Sequence, residues 1–432
     1  MSALTEPATE TTDPWCYDAE MGVKAMKWMA RQGTRMMVTG MLVLLVGCSG
    51  ADVAATDDDA SPAPASPSPV EQVSPDVVEE TPSALKDRYD ERLPDPLLNP
   101  DLVISGGPPP DGIPPIDEPT FETADQVGWL EDDEPVLSLT VGRETRAYPL
   151  QVMTWHEIVN DTVAGVPVAV TYCPLCNSGV AFEREVDGRV LSFGTSGLLY
   201  ADNLVMYDRQ TESLWPQLTG QAAIGVLTGM TLTAIPMGVV AWDDFRDANP
   251  ESLVLSRDTG FDRPYGQNPY VGYDDPDGGL LFGVPGRPDD RLPVKERVVG
   301  VSHGASSVAV LRSSLVEASP REVMVGKREL VLMHKPGQTS ALDVDTVSGG
   351  AEVGTVAVYV PVVDGRRLHF QAAGEGFRDR ETGSRWSILG HATGGPLKGA
   401  RLRPYRHLDT FWFAWVTFHP DTELLDLGAA EE

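Results

Sequence analysis

The stretch Asp208–Leu232, DRQTESLWPQLTGQAAIGVLTGMTL, recurs as DRETGSRWSILGHATGGPLKGARL over Asp379–Leu402, and this recurrence governs how the chain is read. Asp208, Arg209, Thr211, Ser213 and Trp215 line up with Asp379, Arg380, Thr382, Ser384 and Trp386. After a one-residue deletion, Gly220, Gly225, Leu227 and Gly229 fall on Gly390, Gly395, Leu397 and Gly399. The same register carries Trp242 onto Trp412 and Asn249-Pro250 onto His419-Pro420. Upstream, Asp187-Gly188-Arg189 with Phe193 matches Asp364-Gly365-Arg366 with Phe370. Matches at this many fixed offsets predict a duplication, one copy near 130–257 inside a first repeat spanning 101–257, the other over 296–427, with 258–295 as connector.

Within a copy the local patterns are those of strands. Val136–Val141, Val166–Tyr172 and Arg189–Phe193 are short, rich in β-branched residues and bounded by glycine or charge. A helix is expected from Leu150 to about Val159, opened by Pro149 and placing Val152, Trp155 and Val159 on one face. A second is expected over Ala241–Asp247. The fold class is therefore mainly β with minor α, an α+β chain of two tandem sandwich- or barrel-like units. Trp215 and Trp386 read as core residues, and the spaced glycines after them as turns.

The 432 residues carry a formal charge of -31. Such a surface repels phosphate backbones, which argues against nucleic-acid binding, and it favours solubility in a salty exterior. Four cysteines occur: Cys16, Cys48, Cys173 and Cys176. The apolar run Met36–Val46 follows Lys24, Lys27, Arg31 and Arg35, as in a secretory signal too short to span a bilayer. It ends in Leu45-Val46-Gly47-Cys48, which resembles the lipobox of bacterial lipoproteins. That resemblance implies cleavage of residues 1–47, lipidation of Cys48, and a membrane-anchored protein on the periplasmic or cell-surface side. An ordinary signal peptide is the alternative. Residues 1–20 are acidic, unlike a signal n-region, so the translation start is expected at Met21, Met26 or Met29. Residues 48–100 read as an unfolded tether rich in Pro, Ala, Ser and Asp.

The segments AYPLQVMTWHEIVND, VAVTYCPLCNSGVAFER and LSFGTSGLLYADNLVMYDRQTESLW resemble the bacterial and archaeal domain-of-unknown-function family 3179. The likeness continues through Asn268-Pro269-Tyr270 to Lys295-Glu296 and covers roughly 112–300. It implies a fold group and brings no activity with it. The second copy departs from the pattern where it matters most, reading His334-Lys335-Pro336-Gly337 in place of Cys173-Pro174-Leu175-Cys176.

Cys173-Pro174-Leu175-Cys176 is the one motif that carries chemistry, and four readings compete for it. A thioredoxin-type redox pair would sit at a helix N-terminus, whereas strand character flanks this pair on both sides. A structural staple would close a loop too short to constrain the unfolded chain by much. A metal knuckle of rubredoxin type needs a residue tolerant of positive φ after the second cysteine, a position Asn177 can fill. Its further ligands would be His156, on the preceding helix, and Met206. Two thiolates, an imidazole and a thioether favour copper(I), then zinc. The fourth reading is a free thiol pair with no role. Against these ligands stand plainer assignments: His156 bonding its own helix or a carboxylate, and Met206 filling core. His156-Glu157 does not open a zinc-peptidase H-E-x-x-H helix, because the fifth position is Asn160.

Three functions follow as expectations. The first is a tethered metal carrier, for copper above all, or redox protein using Cys173, Cys176 and His156. The second is an extracytoplasmic thiol–disulfide oxidoreductase using the two cysteines. The third is an interaction lipoprotein with a purely structural pair. The sequence names no catalytic residue, substrate or protein partner.

Overall fold

The structure is a computed structural model and describes residues 81–427; the signal segment, Cys16, Cys48 and most of the tether lie outside the described residues. The chain is mainly β. An antiparallel hairpin, Pro135–Val141 with Glu144–Pro149, leads into the helix Leu150–His156. A meander follows, made of Ile158–Val163, Val166–Cys173 and Ser178–Glu183. A second meander comprises Phe193–Tyr200, Asn203–Asp208 and Leu214–Pro216. Met237–Ala241 then returns to pair antiparallel with Pro135–Val141. The helix Trp242–Ala248 and the strand Leu253–Leu255, parallel to Glu144–Pro149, complete the set.

The same order and pairings recur in the second half. The hairpin Arg297–His303 with Ser306–Leu311 leads into the helix Arg312–Ala318 and the meander Arg321–Val325, Arg328–Lys335, Thr355–Val360. Phe370–Ala373, Gly376–Asp379 and Arg385–Trp386 form the next antiparallel set. Leu408–Phe411 pairs back onto Arg297–His303, and Glu423–Leu425 runs parallel to Ser306–Leu311 after the helix Trp412–Phe418.

The matching sequences make matching contacts. Trp215 donates its indole N–H to the Asp208 carboxylate at 3.0 Å, and Trp386 to Asp379 at 2.8 Å. Phe193 meets the Trp215 ring edge-on at 5.6 Å, and Phe370 meets Trp386 at 5.8 Å. Each aspartate also accepts from the threonine three residues on, Thr211 or Thr382, so the acidic side chain closes its own turn. Trp242 and Trp412 each open a helix and are fully buried, with backbone N–H groups held by Glu134 and Glu296 carbonyls.

The strand Val166–Cys173 is buried on both faces. Val168, Val170 and Tyr172 join one core, while Ala169 and Cys173 join another. That two-sided burial explains why the segment reads as a continuous apolar run, without the alternation of a solvated strand.

Two expectations are corrected. The helix at Leu150 stops at His156, not near Val159, because Glu157 takes a left-handed conformation (φ 59°) and closes onto the Met153 carbonyl. Ile158 and Val159, both β-branched, continue as strand. The tether does not extend to residue 100. Ala84 is fully buried, and Leu85, Leu93 and Leu98 pack beside it against Val103, Val205 and Tyr207. From Ala84 onward the sequence supplies the large apolar residues that the Pro/Ala/Ser stretch lacks. The connector 258–295 packs onto the body. It lays Tyr270 and Tyr273 into the central core, with Leu281 and Phe282 against it.

Candidate functional site

Cys173 ends its strand opposite Ser178, and Pro174–Cys176 form a single 3-10 turn. Proline at the first position suits that turn, since its fixed φ is already helical. Asn177 closes it at φ 50°, ψ 45°, the positive-φ role expected of that residue, with Tyr172 donating to its side-chain oxygen at 3.1 Å. Both cysteines are free and buried, and their sulfurs lie 3.2 Å apart.

A polar network surrounds Cys176. Its thiol faces the Asp202 carbonyl at 3.4 Å and receives the Asn203 amide at 3.3 Å. Asn203 in turn donates to Gln217, which donates to Thr171 and to the Ser178 carbonyl. Burial pushes the Cys176 thiol well above its ordinary pKa, helped by Cys173 and by the Asp202 charge and opposed by the Asn203 donor. The carbonyl of Cys176 accepts from Thr410 at 2.9 Å and from Ser178 at 3.1 Å, so the second half of the chain holds the turn.

Two buried carboxyls flank the turn, each paired with a connector tyrosine. Tyr273 donates to Asp202 at 3.0 Å, and Tyr270 reaches Glu157 at 3.4 Å. Burial raises Asp202 to about 7, against the pull of Tyr273, and Glu157 to about 8, against that of Tyr270. Lys295 lies over the Tyr273 ring at 4.4 Å and donates to the Tyr273 carbonyl. Beside the turn is a cavity of about 80 Å³. Leu175, one of the two residues between the cysteines, forms part of its wall, and Glu157, Thr195 and Tyr270 are its polar lining.

His156 lies elsewhere in its bonding. Nδ1 contacts the Pro114 carbonyl at 2.7 Å and Nε2 the Tyr265 hydroxyl at 2.6 Å. A carbonyl can only accept, so Nδ1 carries the hydrogen and Nε2 accepts from Tyr265. Burial lowers His156 to about 4, which keeps the ring neutral. Among the described residues no three His, Cys, Asp or Glu side chains form a group able to hold a metal, so His156 does not complete a ligand set with Cys173 and Cys176. Met206 does reach the same core as the cysteines, fully buried on a strand between Thr195 and Trp215. Cys48 lies outside the described residues.

Sequence reasoning missed Asp202, Glu157, Tyr270, Tyr273, Lys295 and Thr410. Glu157, Asp202, Tyr270 and Lys295 stand inside the stretches that carry the family likeness, the one signal that marked them. In the second half, the strand Arg328–Lys335 places Lys335, not the His334 of the sequence match, at the position of Cys173, and a long loop through 336–354 replaces the tight turn. Its Leu342 enters the cysteine core.

A search of curated proteins returns no match, and neither does a search of solved structures. A family model does match, over residues 110–422. The likeness read from the sequence alone stopped near residue 300, so the family unit takes in both halves, including the strand that carries Thr410. Spanning most of the chain, this match places the protein in the family described as Protein of unknown function (DUF3179).

Proposed function

We propose that the protein is a lipid-anchored, extracytoplasmic redox protein in which Cys173 and Cys176 cycle between dithiol and disulfide. The observation that carries this reading is the 3.2 Å separation of two unbonded sulfurs on one turn. A zinc ion with bonds of about 2.3 Å would hold two tetrahedral sulfurs roughly 3.8 Å apart. The observed spacing falls between that and a disulfide of about 2.05 Å. A copper(I) or zinc carrier built on Cys173, Cys176 and Met206 is the second reading, favoured by the thioether in the same core. It would have to open the sulfur pair and proceed without His156.

The exchange balances as follows. A disulfide R–S–S–R takes two electrons from the pair and leaves as two thiols R–SH, which carry the two cysteine protons. The Cys173–Cys176 disulfide is the other product. The signal-like segment before Cys48 supports the reading, since an oxidising exterior would supply such disulfides. The likeness of the two halves supports a duplication in which only the first copy keeps the thiol turn.

Titration of the thiols in redox buffers, read by mass after alkylation, tests the proposal. The expected midpoint lies above about -270 mV, in the range of exchanging proteins. A midpoint below about -300 mV would reassign the pair as structural. The anchor is tested separately, by the mass of the native N-terminus, which should show a diacylated Cys48.

A further inference from the structure

We propose that a cavity between the two halves of the chain binds a small organic monoanion, a carboxylate on an apolar body no larger than a benzene ring. The inference is independent of the thiol pair, since neither cysteine lines this cavity. Its volume is about 140 Å³. The first half contributes Ser138 and Thr140, from the strand Pro135–Val141, and Met237 and Val240, from the strand that pairs with it. The second half contributes the strand Thr355–Val360 and residues between Leu389 and His407.

A difference between the two copies marks the site. The isolated bridge between Gln221 and Thr231 in the first half recurs between His391 and Arg401 in the second, at the positions the sequence match pairs. Residues 221–237 contain no charged side chain, whereas the matching 391–407 hold Lys398, Arg401, Arg403 and Arg406 and no carboxylate. In a chain of net charge -31, such a stretch attracts anions that the rest of the surface repels. None of the four cations forms an ion pair among the described residues, and of the four only Arg401 lines the cavity. His391 lines it too, and as bridge partners the two side chains leave the strands on one side. The other polar groups of this end are committed. Tyr359 donates to the Ile388 carbonyl at 2.8 Å, Tyr405 to the Ser302 carbonyl at 3.2 Å, and His407 Nδ1 to the Tyr405 carbonyl at 3.0 Å. The His391 ring and the Arg401 guanidinium have no such partner among the described residues.

Charge and size define the ligand. Burial, helped by the Arg401 charge, lowers His391 to about 4, so at neutral pH the ring offers an N–H without a charge. The cavity therefore supplies one positive charge, which matches a monoanion and leaves a dianion half neutralised. The planar guanidinium fork fits the two oxygens of a carboxylate. Arg401 is exposed, so this end opens to solvent, and an exposed guanidinium alone holds an anion weakly. The apolar walls, Met237, Val240, Leu389 and Leu402, add the remaining affinity by burying the ligand's body. A dry cavity of about 150 Å³ holds a benzene ring, and this one is of that size.

The test titrates the full chain calorimetrically with benzoate and with benzyl alcohol, its uncharged counterpart, and uses inorganic phosphate as competitor. Benzoate should saturate one site and bind at least roughly 10-fold more tightly than the alcohol, the effect of one charge-assisted hydrogen-bond pair. Arg401→Gln should erase that preference. So should His391→Gln combined with Arg401→Thr, which restores the first-half pair. Gly238→Val should abolish binding of both compounds. A Cβ at that position would lie 4.0 Å from His407 and Val240, so the new side chain fills the cavity without straining the strand. If Gly238→Val fails to fold, the Arg401→Gln affinities decide, since that side chain is exposed and unpaired. Benzoate that does not saturate, that binds no better than the alcohol, or that is held as tightly by Arg401→Gln would overturn the assignment. Benzoate binding that persists in folded Gly238→Val, or that phosphate displaces at equal concentration, would overturn it as well.

Discussion

Thr410 donates its hydroxyl to the carbonyl of Cys176 at 2.9 Å, joining residues 234 positions apart in the chain. Ser178 shares this small cluster, 2.6 Å from the Thr410 oxygen. Removing the Thr410 hydroxyl leaves a buried carbonyl short of a donor and takes a partner from Ser178. Thr410→Val should therefore destabilise the fold by about 1–3 kcal/mol, and Thr410→Ser should recover most of the loss. Urea unfolding of the three proteins measures both effects.

Oxidation of the pair should stabilise the fold only modestly. The loop it closes is about four residues long, which constrains the unfolded chain by roughly 2 kcal/mol. Denaturation midpoints of the oxidised and reduced forms give the difference. A gap above about 4 kcal/mol would show that the turn is strained as a dithiol.

Glu157 makes stability depend on pH in the alkaline direction. Its folded pKa is raised from 4.5 to about 8 by burial. Between those values the unfolded chain has released a proton that the folded chain keeps, so stability falls as pH rises across that window. Asp202, raised from 3.8 to about 7, acts with the same sign. Glu157→Gln has no proton to lose, so its stability relative to the native protein should grow from pH 5 to pH 8, by on the order of 3 kcal/mol. Thermal melts across that range read the divergence; parallel curves would contradict it.

His156 works in the opposite direction. Burial lowers it from 6.5 to about 4. As pH drops below 6.5 the unfolded chain takes up a proton that the folded chain refuses, and stability is lost until about pH 4. His156→Ala should remove this acid-side slope, while weakening the fold at neutral pH by about 2–4 kcal/mol through the lost contacts with Pro114 and Tyr265. It should leave the thiol midpoint potential where it was. A large shift in that potential would return His156 to the cysteine site.

Much of the β framework can be read in the sequence, because strand patterns and the Asp–Thr–Trp turn act over a few residues. Asp208 and Trp215 are seven apart, and their twins Asp379 and Trp386 likewise, so one local motif announces itself twice. Asn177 is also legible, since few residues other than glycine accept its backbone angles. The end of the first helix is not. Glu157 carries no mark of the left-handed conformation that stops it, and nothing in His156 says that it turns toward Tyr265, 109 positions away. The carboxyl–tyrosine pairs escape for the same reason. Tyr270 meets Glu157 across 113 positions and Tyr273 meets Asp202 across 71, distances at which sequence spacing conveys no geometry.

The contact between Thr410 and Cys176 also sets an order of events in synthesis. At roughly 5–20 residues per second, the turn precedes Thr410 out of the ribosome by roughly 10–50 s. Throughout that interval the strand Leu408–Phe411, which pairs onto Arg297–His303 and brings Thr410 to the turn, does not yet exist. Pairings of such long sequence separation are among the last that a chain forms. Cys173 and Cys176 therefore spend their first moments open to whatever oxidants surround the nascent chain. The finished fold closes over the pair only when Leu408–Phe411 docks, so a strand made near the end of the chain is the one that seals the thiol turn.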